Sequence, residues 1–220
     1  MAFERVPELY AAPNERAELL EKIKDMPSID LTPRQLCDLE LLMNGGFAPL
    51  TGFLGKADYD SVVENMRLSS GALWPMPITL DVTEKVSESL ALGGQVVLRD
   101  QEGVPLAVMD VEEMFTPDKH KEAEMVYGAD DMAHPAVRYL HNQTGNVYLG
   151  GPVTGIDEPV HYDYRQHRYT PNDLRRLFHK WGWRKVVAFQ TRNPLHRAHV
   201  ELTVRAAQMT EANLLIHPVV

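Results

Sequence analysis

The chain has 220 residues, enough for one large or two smaller domains, and its 44% of hydrophobic residues supports a folded core. With 22 lysines and arginines against 31 aspartates and glutamates it carries a formal charge of −9. That balance argues against general binding to nucleic acid or to an anionic membrane, and an anionic substrate would need a local positive pocket. One cysteine excludes an intrachain disulfide, no apolar run approaches a membrane span, and the first residues do not read as a secretory leader, so a cytoplasmic protein is expected.

Residues 14–26 read as a helix with Leu19, Leu20 and Ile23 on one face. Thr32-Pro33-Arg34-Gln35 is a capping box with proline at the first helical position. The helix it opens carries Leu36, Leu39, Leu42 and Met43 and stops at Gly45-Gly46, a C-cap; Cys37 on it is expected to be a small core residue. Residues 58–66 suggest a third helix. From Pro77 the period changes: residues 78–82 alternate, and two apolar runs, 95–99 and 105–109, flank a hairpin turn at Asp100-Gln101-Glu102-Gly103. Residues 146–151 form another strand, and 119–127 and 136–141 read as helices. Several short strands with helical insertions suggest a small β-barrel.

Residues 161–169 mix tyrosines with basic side chains. Acidic flanks and a helix start immediately afterwards favour a connection between domains over a nucleic-acid patch, with the boundary near residue 166. Thr170-Pro171-Asn172-Asp173 caps the next helix, whose apolar stripe is Leu174, Leu177, Phe178 and Trp181. A buried strand at 185–189, a helix at 200–207 and a second apolar run at 213–220, ending in exposed Val219 and Val220, complete the pattern.

The most informative stretch lies between that strand and that helix: Gln190-Thr191-Arg192-Asn193-Pro194-Leu195-His196-Arg197-Ala198-His199. It occupies the carboxyl end of a strand and the start of a helix, where ligands bind in open α/β sheets and where free N–H groups favour an anion. Pro194 suits the first helical turn, and it makes Asn193 extended. His196 and His199, three apart, are expected on one helical face, with imidazoles able to donate to phosphate oxygens. Gln190 and Arg192, two apart, point to one side, and an amide beside a guanidinium is a cradle for a small oxyanion. Thr191 and Asn193 face the other way or line the turn. The His pair by itself is a weak signal, equally readable as two exposed histidines; a metal role is disfavoured because no Asp, Glu or Cys nearby completes a ligand set.

This ten-residue string resembles the active-site motif of the ATP sulfurylases (sulfate adenylyltransferases). Residues 43–54, Met-Asn-Gly-Gly-Phe-Ala-Pro-Leu-Thr-Gly-Phe-Leu, and 74–80, Trp-Pro-Met-Pro-Ile-Thr-Leu, resemble the N-terminal domain of that family. The resemblance implies an α+β architecture: a PUA-like β-barrel domain over 1–166, then over 167–220 the first part of an α/β Rossmann-like nucleotidyltransferase domain. It implies that ATP and sulfate give adenosine 5′-phosphosulfate and pyrophosphate by direct attack of sulfate on the α-phosphorus. By motif position, Gln190 and Arg192 would bind sulfate, while Gln190, Asn193, His196 and His199 would bind ATP. Thr191, Arg192 and Asn193 would form the catalytic group. Mg²⁺ would enter with ATP, held by the phosphates more than by the protein, and the enzyme would be a homo-oligomer. The family also carries a Gly-Arg-Asp-type motif further downstream, so these 220 residues are expected to be an N-terminal portion, inactive alone. Two alternatives stay open: another His-x-x-His nucleotidyltransferase, or a non-catalytic PUA-like module for RNA binding or assembly.

Overall fold

The computed structural model describes residues 4–219, so residues 1–3 and Val220, including its place in the last apolar run, lie outside the described residues. The chain divides into two compact units, one of residues 7–167 and one of residues 4–6 together with 168–219.

The larger unit contains α1 (Pro13–Lys22), β1 (Ser28–Asp30), α2 (Pro33–Met43), β2 (Gly52–Phe53), α3 (Lys56–Asn65), β3 (Leu80–Val82) and α4 (Glu84–Glu88). It continues with β4 (Gln95–Arg99), β5 (Pro105–Asp110), β6 (Glu113–Phe115), α5 (Lys119–Tyr127), α6 (Pro135–Asn142) and β7 (Val147–Gly155). All seven strands form one mixed sheet organised on β7. The first half of β7 pairs with β3 and β6; its second half pairs with β2 and β5. β4 joins the outer edge of β5, and β1 runs parallel to β4.

β7 extends four residues past the expected 146–151 because the apparent break at Gly150-Gly151-Pro152 is a packing device. A Cβ on Gly151 would lie 1.9 Å from the Asp110 carbonyl oxygen, and one on Gly52 would lie 2.0 Å from that of Gly151. The glycines let the strands approach.

The runs in β4 and β5 are continuously apolar because both faces are covered. Val96, Leu98, Ala107 and Met109 enter the main core with Leu39, Met43, Leu80 and Leu149, while Val97 and Val108 face the other way, onto Leu19 and Ile23. Thr32 caps α2 as expected: its Oγ1 accepts from Gln35 N (3.3 Å) and Gln35 Oε1 accepts from Thr32 N (2.9 Å). Gly45, at φ +81°, turns the chain after α2. Cys37 corrects the expectation: it is exposed. The buried face of α2 is set by Gln35, Leu39, Leu42 and Met43, and Cys37 lies on the opposite side.

Two charged side chains are set into this unit. Buried Glu122 accepts hydrogen bonds from the hydroxyls of Tyr59 (2.7 Å) and Tyr148 (3.2 Å), and burial pushes its carboxyl above the ordinary range. Half-buried Arg34 bridges Asp38 (3.1 Å) and Asp81 (2.9 Å).

The smaller unit contains α7 (Pro171–Lys180), β8 (Val186–Thr191), α8 (Arg197–Thr210) and β9 (Asn213–Pro218). Thr170 Oγ1 accepts from Asp173 N, closing the expected cap. The Asn172 side chain accepts from Val6 N (2.9 Å) and donates to Val6 O (3.1 Å), tying residues 4–6 to α7. Leu174, Leu177 and Phe178 are half-buried, with Phe178 stacked on Trp183 at 5.2 Å; Trp181, at the end of the expected stripe, is exposed. β8 and β9 are parallel and in register from Val186↔Asn213 to Thr191↔Pro218, with α8 as the crossover.

Candidate functional site

The Gln190–His199 segment is where the smaller unit changes from strand to helix. β8 holds Gln190 and Thr191 at its carboxyl end, five residues form the turn, and α8 starts at Arg197. Three local interactions set its shape. Thr191 Oγ1 donates to the Asn193 carbonyl (2.9 Å) and accepts from Asn193 N (3.0 Å), so the hydroxyl folds the turn and orients Asn193. His196 is the N-cap of α8, with extended backbone at φ −84° and ψ 164°. His199, at the third helical position, accepts a hydrogen bond from His196 N at its Nδ1 (3.2 Å).

This arrangement amends two details of the sequence reading. Pro194 lies two residues before the N-cap rather than in the first helical turn. His196 and His199 are not both inside the helix, because His196 caps it. They are nonetheless brought together: the rings stack with centroids 5.4 Å apart and planes 15° apart. Phe189 supports His199 from β8, with centroids 5.8 Å apart. The cap also selects a tautomer. With Nδ1 accepting from the backbone, the neutral His199 ring carries its proton on Nε2, a donor free to face a ligand.

Gln190 and Arg192 are exposed at the strand end, as are Asn193 and His196. Arg192, Arg197 and the helix N-terminus bring positive charge to this turn in a chain whose net charge is negative. Among the described residues, the one group of three metal-ligating side chains lies elsewhere, at His120, Asp130 and His141. The sequence reading did not single out His217. In the parallel register it stands opposite Gln190, on the same face at the carboxyl end of β9. Its offset within the second apolar run was the available signal.

The PUA-like domain family matches residues 2–158, and the ATP-sulfurylase family matches residues 165–220. A sulfate adenylyltransferase of Mycosarcoma maydis is 53% identical over 207 residues, covering 93% of this chain and 36% of that protein. One of Schizosaccharomyces pombe is 51% identical over 208 residues, covering 93% of this chain and 42% of that protein. Among solved structures, the hexameric APS kinase from Thiobacillus denitrificans superposes with a TM-score of 0.79 at 33% identity, covering 99% of this chain and 39% of that one. The chain thus spans about two fifths of the length of such relatives. It consists of a PUA-like domain followed by the start of a nucleotidyltransferase region, and it belongs to the ATP sulfurylase family.

Proposed function

We propose that the chain supplies the PUA-like domain and the anion-binding segment of a sulfate adenylyltransferase. The substrates would be ATP, carrying Mg²⁺ on its phosphates, and sulfate. One observation carries the reading: an amide, a guanidinium and two stacked imidazoles are carried on one strand-to-helix turn at a helix N-terminus.

In this reaction a sulfate oxygen attacks the α-phosphorus, the bond from that phosphorus to the bridging oxygen breaks, and pyrophosphate leaves with the electron pair. No enzyme nucleophile is needed, so catalysis rests on positioning and on stabilising charge. Gln190 and Arg192 hold sulfate, and Arg192 offers a two-pronged donor to its oxygens. Gln190, Asn193, His196 and His199 hold the ATP phosphates, His199 through its Nε2–H. Thr191 orients Asn193 and so acts as a positioning residue. The relation of the two units to a domain boundary near residue 166, a cytoplasmic location and a homo-oligomeric state belong to the same proposal. The last is supported by the solved neighbour, a hexameric APS kinase.

The test is pyrophosphate release, dependent on both ATP and sulfate, by a chain spanning the full length of the relatives. Arg192→Ala is expected to lower turnover on the order of 10²–10³-fold, since a preorganised donor to developing charge is lost. Arg192→Lys should rescue poorly, because an ammonium lacks the fork. Near-normal turnover of Arg192→Ala removes that residue from the site.

A further inference from the structure

His120 is the second residue of α5 and His141 the last but one of α6. The two helices pack through Ala123, Val137 and Leu140. Between them the chain turns at Gly128, at φ +75°, and the loop is braced by Asp131, whose Oδ1 accepts from Ala133 N (2.8 Å) and whose carbonyl accepts from His134 N (2.9 Å). This holds Asp130 against both rings. Its Oδ2 lies 2.6 Å from His120 Nδ1, and its Oδ1 lies 2.6 Å from His141 Nε2. One ligand atom from each of the three residues falls within 4.8 Å of the other two.

We propose that His120, Asp130 and His141 form a binding site for a divalent transition metal of the zinc type. Two imidazoles and one carboxylate are a borderline-soft donor set, suited to Zn²⁺, Co²⁺ or Ni²⁺ and poorly suited to Mg²⁺ or Ca²⁺, which take oxygen ligands. Tetrahedral zinc with ligands at about 2.0–2.1 Å places neighbouring donor atoms roughly 3.3 Å apart. From the present spacing, the two 2.6 Å contacts would lengthen by about 0.7 Å and the widest separation, within 4.8 Å, would close by at most about 1.5 Å, on side chains carried by two packed helices and a braced loop. Each imidazole would present a lone pair to the metal, with its proton on the other ring nitrogen. The carboxyl end of α6, beside His141, favours a cation through the helix dipole. His120 is 79% exposed, so the ion has a path in and a water can take the fourth position. The site lies in the larger unit and does not rest on the adenylyltransferase reading.

The experiment is calorimetric titration of the metal-stripped chain with Zn²⁺, and with Co²⁺ followed by visible absorption. One ion per chain is expected at this site, with a tetrahedral cobalt spectrum and no displacement by millimolar Mg²⁺. His120→Gln and Asp130→Asn should each weaken binding by roughly tenfold or more and abolish the cobalt band. His120 projects into solvent, so His120→Gln keeps the fold and decides the matter even if Asp130→Asn unfolds. The double variant His196→Gln/His199→Gln should retain the ion. Zinc held equally well by His120→Gln, or lost with the His196–His199 pair instead, overturns the proposal.

Discussion

The two units of this chain are both mixtures of helix and strand, yet they bury their side chains differently. In residues 7–167, Leu39, Val96, Leu98 and Leu149 have no exposed surface, and β4 and β5 are covered on both faces. In residues 168–219, the buried side chains among the described residues are Asn172 and Thr203, both polar, while Val200, Leu202, Val204 and Ile216 are exposed. A parallel strand pair is normally buried on both sides. Here β8 alternates between exposed and half-buried positions. The larger unit carries a packed core, and the smaller presents polar groups on a lightly packed strand–helix–strand frame.

The sharpest way to break this comparison is limited proteolysis. Cleavage is expected first within about residues 160–170, where Tyr162, Tyr164 and Tyr169 are exposed, leaving a resistant product from the larger unit. Mass spectrometry reads the cut sites, and early cuts inside β4–β5 would mean that the larger core does not stand alone. Next in size is a pair of truncations. Leu39→Ala should cost about 2–5 kcal/mol, because the site is fully enclosed and the cavity cannot collapse. Val204→Ala, on the exposed side of α8, should cost less than about 1 kcal/mol. Urea unfolding followed by tryptophan fluorescence separates the units, since Trp74 reports on the larger and Trp181 and Trp183 on the smaller. Equal losses from the two substitutions would erase the distinction.

A pH experiment sharpens the same contrast, since only a closed core can shift a carboxyl strongly by burial. Burial pushes Asp38 up to about 6 from 3.8; Arg34 opposes the shift and Asp81 adds to it. The raised value means that the folded state favours protonated Asp38. Its contribution to stability is complete below about pH 4 and is lost as pH rises through 6. Above that, ionised Asp38 is a burden despite its 3.1 Å contact with Arg34, as expected when desolvation exceeds Coulomb attraction. Asp38→Asn should therefore stabilise the larger unit by about 2–3 kcal/mol at pH 8 and by almost nothing at pH 4. A variant less stable than the native chain at pH 8 would show that the ion pair outweighs burial.

Much of this fold was legible wherever the physics is local. The caps at Thr32 and Thr170 followed from side-chain oxygens three residues before their partners. The hairpin at Asp100–Gly103 followed from a glycine that adopts φ +85°, with Asp100 Oδ1 accepting from Glu102 N and Val104 N. What escaped depends on distant partners. β1, β2 and β6 are two or three residues long and exist only through pairing with β4 and β7. Apolar character alone misplaces Cys37, because burial on α2 follows the helical phase set by Leu39 and Met43. The strand-to-helix turn at Gln190–His199 was legible because its residues are contiguous. The His120–Asp130–His141 cluster was not, since spacings of ten and eleven residues match no single helix or strand and become neighbours only when α5 packs on α6.

The smallest effect bears on the smaller unit alone. His199 Nδ1 caps α8 by accepting from His196 N, and the proposed function adds a second task, a ligand held by its Nε2–H. Losing such a cap costs about 0.5–1 kcal/mol. In a lightly packed unit that cost should appear locally rather than in the global transition. Amide hydrogen exchange at His196 and the first turn of α8 is thus expected to accelerate roughly two- to fivefold in His199→Ala, since 1.4 kcal/mol is a factor of ten. His199→Gln should restore most of the protection, because glutamine at the third helical position closes a capping box with its own carbonyl oxygen. Gln would not reproduce a ring stacked on His196, so its effect on the ATP reaction of a full-length enzyme should remain. If His199→Ala exchanged no faster than the native chain, the cap would contribute nothing. The tautomer assigned to His199 would then lose its structural basis, because no backbone donor would be holding Nδ1 as an acceptor.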